Sequence, residues 1–157
     1  DVYKRQVISN DCAKKFNIMC KFVVNEDFPL IPHGEFTEIF LSYGLNFNDF
    51  LDLQRLGLVI YDGVGYAKYT KEESIVFAIN NTILEVKANN GRVSIGDVLF
   101  TSDGAALYKC INVTVDSKLL EIAESYWNSS IIHTYIKNGE SYEEVHKNKK
   151  HKVESTV

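Results

Sequence analysis

Apolar positions along this chain repeat in two ways, one helical and one alternating. Phe16, Met19, Cys20 and Val23 recur at i, i+3, i+4 and i+7, as do Phe36, Ile39, Phe40 and Tyr43. That spacing lines one face of a helix. Around the first stripe, Ile18 and Phe22 widen the apolar arc, Lys14, Lys15 and Lys21 supply a wet side, and Ser9-Asn10-Asp11 supplies caps. A helix over 11–24, buried on much of its circumference, is predicted. The second stripe ends at Gly44, a residue free to take the positive φ of a helix C-terminus. Asn46 then caps another helix with Asp49 in its first turn. This helix presents Phe50, Leu53 and Leu56 and stops at Gly57, where Leu58-Val59-Ile60-Tyr61 reads as strand.

Alternation takes over on either side of these helices. Pro29 and Pro32 punctuate the link before them, with Phe28, Leu30 and Ile31 pinning short extended structure to the core. After the Asp62-Gly63-Val64-Gly65 turn, residues 66–69 read as extended. Residues 75–79 and 82–87 read as two strands about an Asn80-Asn81 turn. The second arm sets Ile83, Glu85 and Lys87 against Leu84, Val86 and Ala88, so one face is wet, and Asn89-Asn90-Gly91 closes the region. Val98-Leu99-Phe100 is a strand feeding a helix capped by Thr101 or Ser102, with Ala105, Leu107, Tyr108 and Ile111 at helical spacing. A last helix runs from Ser117 through Leu119, Leu120, Ile122, Ala123, Tyr126 and Trp127, and residues 130–136 are β-branched enough for a final strand. There is no repeat of solenoid or propeller length.

Two helices joined by a glycine turn and followed by a strand outline a winged helix-turn-helix. The expected fold class is therefore α+β: a winged helix-turn-helix-like module with a β-hairpin wing at 75–87, then a C-terminal helix and strand. The run Leu99-Phe100-Thr101-Ser102-Asp103-Gly104-Ala105-Ala106-Leu107 resembles the "LTxxGxxL" strand-to-helix signature that ends many bacterial winged-helix modules, with Phe100 in place of the usual Leu. In that signature Thr101 caps the helix, Gly104 lets it pack closely on a neighbour, and Leu107 enters the core. The larger order is similar to the uncharacterised bacterial family DUF 2806. The likeness rests on the helix carrying Asp11-Cys12-Ala13, Phe16, Cys20 and Phe22, on Leu53-Gln54-Arg55-Leu56-Gly57-Leu58-Val59, on the hairpin, and on the Thr101–Leu107 junction. It spans residues 9–136, the C-terminal part of such proteins, and implies a further region upstream but no activity. The first six residues, Asp1-Val2-Tyr3-Lys4-Arg5-Gln6, resemble a translated sequencing adapter. The domain expectation is thus an artefact over 1–6, one domain over 7–138 and a disordered polar tail over 139–157, within a metagenomic fragment.

Composition narrows the function. At 157 residues, 45% apolar and 24% charged, the chain suits one ordinary globular domain. No apolar run reaches the roughly 18–20 residues of a membrane span, so no membrane partner is expected. Cys12, Cys20 and Cys110 form no CxxC pair and sit among apolar neighbours, which suits buried thiols in a reducing, cytoplasmic setting. Over residues 7–137, 11 Lys and Arg face 16 Asp and Glu, a balance of −5. Duplex binding feeds on phosphate neutralisation by a basic stripe. The recognition-like helix, with Asn48, Asp52 and Arg55 for its outer face and Asp49 beside them, carries the wrong sign for it.

No catalytic constellation emerges. His33, His133, His146 and His151 lack metal-ligand spacing, so no metal or cofactor is expected. The adjacent acids Glu26-Asp27, Glu72-Glu73 and Glu143-Glu144 point apart on either helix or strand and make poor acid–base partners. Gly63-Val64-Gly65 lacks the Lys of a P-loop and the third Gly of a dinucleotide fingerprint. Tyr61, Tyr66 and Tyr69 interleave with Lys68 and Lys71 at the wing, a basic–aromatic cluster able to stack bases or anchor a protein. The expected role is a non-enzymatic interaction or regulatory module of a larger bacterial protein. Its partner is another protein or an upstream domain of the same chain. The alternative is a DNA-binding module that contacts phosphates through the wing and the Lys147–Lys152 tail.

Overall fold

A computed structural model describes residues 9–145. Helix α1 (Asn10–Cys20) starts at Ser9, whose hydroxyl accepts the Cys12 N–H, and buries Phe16, Met19 and Cys20. The helix ends well short of residue 24. Val23–Val24 form strand β1 instead, paired with β2 (Phe28–Pro29) across a turn in which Asn25 and Glu26 hold φ of 58° and 55°. Phe22, Val23 and Val24 are all buried, so periodicity cannot separate helix from strand here. The stiff β-branched pair and the left-handed Asn25 decide for the strand.

Past a short 3-10 turn (Gly34–Phe36) come α2 (Thr37–Ser42) and α3 (Phe47–Arg55), joined at Gly44, where φ is 85°. Asn46 and Asp49 form a capping box: Asn46 Oδ1 accepts the Asp49 N–H at 3.0 Å, and Asp49 Oδ2 accepts the Asn46 N–H at 2.8 Å. Lys15 of α1 donates to the Gly44 carbonyl and lies 3.3 Å from Asp49 Oδ2, fastening this turn to the first helix. Phe22 meets the edges of Phe40 and Tyr43 with centroids 5.2 Å apart in each case. Each such buried aromatic or aliphatic side chain stabilises the fold by roughly 1.5–3 kcal/mol.

The remaining strands are β3 (Val59–Tyr61), β4 (Ala67–Tyr69), β5 (Ser74–Ile79), β6 (Thr82–Lys87), β7 (Arg92–Ser94) and β8 (Val98–Phe100), then β9 (Ile131–Asn138) and β10 (Ser141–Val145). Between β8 and β9 lie α4 (Ser102–Cys110) and α5 (Lys118–Trp127). All pairings are antiparallel: β3 with β8, β4 with β7, and a four-stranded sheet in the order β10-β9-β6-β5. Thr101 caps α4 by accepting the Gly104 N–H at 3.0 Å and donates to the Gly57 carbonyl at 2.6 Å, joining this helix to the end of α3.

Two departures from the sequence expectation concern this sheet. The 75–87 hairpin does not stand alone as a wing: β9 adds to β6, and Phe77, Ile79, Leu84 and Val86 are buried in the core. Trp127 stacks on Phe77 at 4.4 Å and Phe28 meets it edge-on at 5.8 Å, so one ring joins sheet, last helix and β2. The polar stretch after residue 139 is strand as far as Val145, not tail. Its five residues pair with 134–138, and Glu144 and Glu143 contact His133 and Asn138. Cross-strand polar contacts hold it, with almost no apolar burial to mark it in composition. The adapter-like start, His146, His151 and the Lys147–Lys152 run lie outside the described residues.

Candidate functional site: an aromatic pocket beside a His–Asp pair

Three backbone segments meet where residues 30–33, 95–98 and 61–66 run together. The Asp97 N–H donates to the Ile31 carbonyl at 3.0 Å, the Asp62 N–H to the Asp97 carbonyl at 3.0 Å, and the Tyr66 N–H to the Gly96 carbonyl at 2.7 Å. Gly96 makes the approach possible. Its φ is 87°, and a Cβ there would sit 3.1 Å from the Ile31 backbone. The result buries the Asp97 side chain to 3% exposure directly under His33.

His33 Nδ1 lies 2.6 Å from Asp97 Oδ2, while the imidazole itself is 62% exposed. A carboxyl inside and a ring outside fix the ring's orientation; with Asp97 ionised, a neutral ring carries its proton on Nδ1 toward Asp97 and presents the Nε2 lone pair. Burial pushes the Asp97 carboxyl above its ordinary value, against the lowering effect of the His33 contact, with Asp62 adding repulsion. The hydroxyls of Tyr61 and Tyr66 are raised as well, first by burial and then by Asp97 and Asp62.

Beside the pair opens a cavity of about 100 Å³, floored by Phe40, Leu45 and Phe50, with His33, Phe47 and Tyr61 around it. Phe47 is 56% exposed although it begins α3. Its ring stands edge-on to Tyr61 at 5.3 Å, and Tyr61 stacks on Phe50 at 6.1 Å. Small-molecule sites run to roughly 300–1,000 Å³. This cavity has room for one side chain, with an oriented ring nitrogen beside an apolar floor.

The residues singled out from sequence are dispersed among several settings. Tyr61 belongs to the pocket, and Tyr66 lies close enough to Asp97 to feel its charge. Lys68 is paired with Asp27 at 2.5 Å and lies over the Phe28 ring. Tyr69 is exposed with the Arg92 guanidinium over its face at 5.9 Å, and Lys71 is exposed. On α3, Asn48 is exposed and Asp52 is paired with Arg55. Asp49 turns inward to its cap and Lys15. The outer face of that helix is therefore electrically balanced, not acidic.

From the sequence His33 enters only as a candidate metal ligand, and neither Asp97 nor Phe47 stands out as a site residue. Nothing local marks the pair, whose members are 64 residues apart. His133 occupies a second paired setting, 2.8 Å from Glu85 and 3.3 Å from Glu144. Not every cysteine is buried: Cys20 is, with its thiol pushed up to about 12 by burial, whereas Cys12 is half-buried and Cys110 exposed. Among the described residues no group of three or more His, Cys, Asp or Glu is placed to hold a metal, and no helix is long and apolar enough to cross a membrane. Comparison with protein-family models, with curated proteins and with solved structures finds no match.

Proposed function

We propose that this chain is a non-enzymatic interaction module, of winged-helix type and related to the DUF 2806 family, that serves a larger cytoplasmic bacterial protein by binding a protein segment. The contact lies at the His33–Phe47–Tyr61 pocket. The observation that carries this reading is the exposed Phe47 ring, locked on Tyr61 beside a cavity sized for one side chain. Aromatic anchors around small desolvated pockets are where protein contacts concentrate their energy. Support for the scaffold comes from the α2–Gly44–α3–β3 succession and the Thr101–Gly104 junction. The DNA-binding alternative rests on the Lys68–Lys71 wing and the Lys147–Lys152 tail; the tail lies outside the described residues, and in the wing Lys68 is committed to Asp27.

Selection of a random displayed-peptide library on the full chain, followed by assay of the recovered peptides on a Phe47→Ala chain, tests the proposal. Recovered peptides should share one apolar residue and fail on Phe47→Ala. Peptides that hold both chains equally, or tight binding of non-specific duplex DNA at physiological salt, would overturn it.

A further inference from the structure

On a different face, residues 111–117 link α4 to α5 without joining a sheet among the described residues, leaving α4 through an extended Ile111. The Ile111 N–H donates to Tyr108 and the Asp116 N–H to Lys21, which pins the segment at both ends. Between these ties, Asn112, Val113, Thr114 and Val115 make no backbone hydrogen bond among the described residues. The side chains nonetheless alternate as a strand's do. Val113 and Val115 pack on the core while Asn112 and Thr114 face out, and three of the four are β-branched. Among the described residues this stretch has a strand's alternation but no paired neighbour, and would span about 13 Å at a strand's rise.

Beside it runs a groove of about 710 Å³ that reaches across to Asn17 and Lys21 at the end of α1. Its charges are unequal in availability. Asp116 is satisfied by the Tyr43 hydroxyl at 2.7 Å and the Lys118 N–H at 2.8 Å. Lys21 has no ion pair among the described residues. An unpaired row of N–H and C=O groups is a template for an added strand, and Lys21 at its end, with no ion pair among the described residues, suits a carboxylate. A second copy of the chain is a poor occupant, since four residues a side fall far below the roughly 1,200 Å² of a stable interface.

We propose that Asn112–Val115 accepts an extended acidic peptide segment of a partner protein as an added strand, with a carboxylate of that segment at Lys21. The surface shares no lining residue with the His33 pocket, so either proposal can fail without the other.

The test is a backbone amide shift titration of the full chain with a capped Glu-Thr-Val-Thr-Val-Thr peptide. Two copies of that peptide carry N-methyl groups on alternate residues, in opposite phase. A paired strand turns only every second N–H toward its neighbour. One phase should therefore abolish binding and the other leave it intact, with the largest shifts at residues 112–115. Lys21→Glu should weaken binding about 2- to 5-fold, as expected for one exposed ion pair. Absence of binding by the parent peptide, equal behaviour of the two methylated phases, or shifts centred elsewhere would each overturn the proposal.

Discussion

The carbonyl oxygen of Leu58 stands 1.8 Å from where a Cβ on Gly104 would lie, and its carbon 2.8 Å. The first turn of α4 thus rests directly on the backbone leading into β3, with hydrogen in place of a side chain. A flexible neighbour could yield; a main-chain carbonyl cannot. Gly104→Ala should cost about 3 kcal/mol or more, the upper end of overpacking effects. Thr101→Ala, which loses the cap and the Gly57 bond, should cost about 1–2 kcal/mol. Urea unfolding of both variants checks this, and a Gly104→Ala chain as stable as the parent would refute the close contact.

The C-terminal hairpin is expected to respond to pH. His133 is raised above 6.5, chiefly by its bond to Glu85, and Glu85 is lowered below 4.5, first by the Ser74 hydroxyl and then by His133. A raised histidine contributes stability that is fully present below its unfolded value and is lost as pH rises through its folded value. The lowered Glu85 contributes above its unfolded value and loses this as pH falls through the folded one. Both act together between about 4.5 and 6.5, so β10 amides should show their greatest protection, relative to the intrinsic exchange rate at each pH, there. In His133→Gln, the loss of protection above that window should disappear.

Thiol chemistry separates the cysteines. Cys110 is exposed at the end of α4, while Cys20 is buried with its thiol raised to about 12. Because the thiolate is the reactive species, a disulfide reagent at neutral pH should modify Cys110 rapidly and Cys20 only on unfolding. Mass mapping after brief exposure reads the difference. Rapid modification of Cys20 in the folded chain would place α1 wrongly.

What was legible in the chain was local. Phe16, Met19 and Cys20 mark α1, Asn46 and Asp49 mark the start of α3, and Thr101 marks α4, because stripe and cap signals need only neighbours within one or two turns. The missed features depend on partners far along the chain. Residues 141–145 are strand through their register with β9 and the His133 contact, which composition does not encode. His33 and Asp97 meet only because Gly96 lets two backbones touch near Ile31. Lys68 and Lys15 look like free surface cations until Asp27 and Asp49 fold against them.

Phe47 offers the cleanest separation of binding from folding. More than half exposed, it should tolerate truncation to Ala with a stability change of about 1 kcal/mol or less: the roughly 0.5 kcal/mol of a surface position and about 0.5 kcal/mol for the lost edge contact with Tyr61. A larger loss would make its ring part of the core and remove it as a docking element.

The affinity of one pocket-selected peptide, measured for the parent chain, for Phe47→Ala and for the Lys68→Glu, Lys71→Glu double variant, tests the central claim most directly. The account predicts at least a tenfold loss for Phe47→Ala, as for an interface anchor, and no change for the charge reversals. The opposite pattern would contradict it: affinity kept by Phe47→Ala and lost on reversing Lys68 and Lys71.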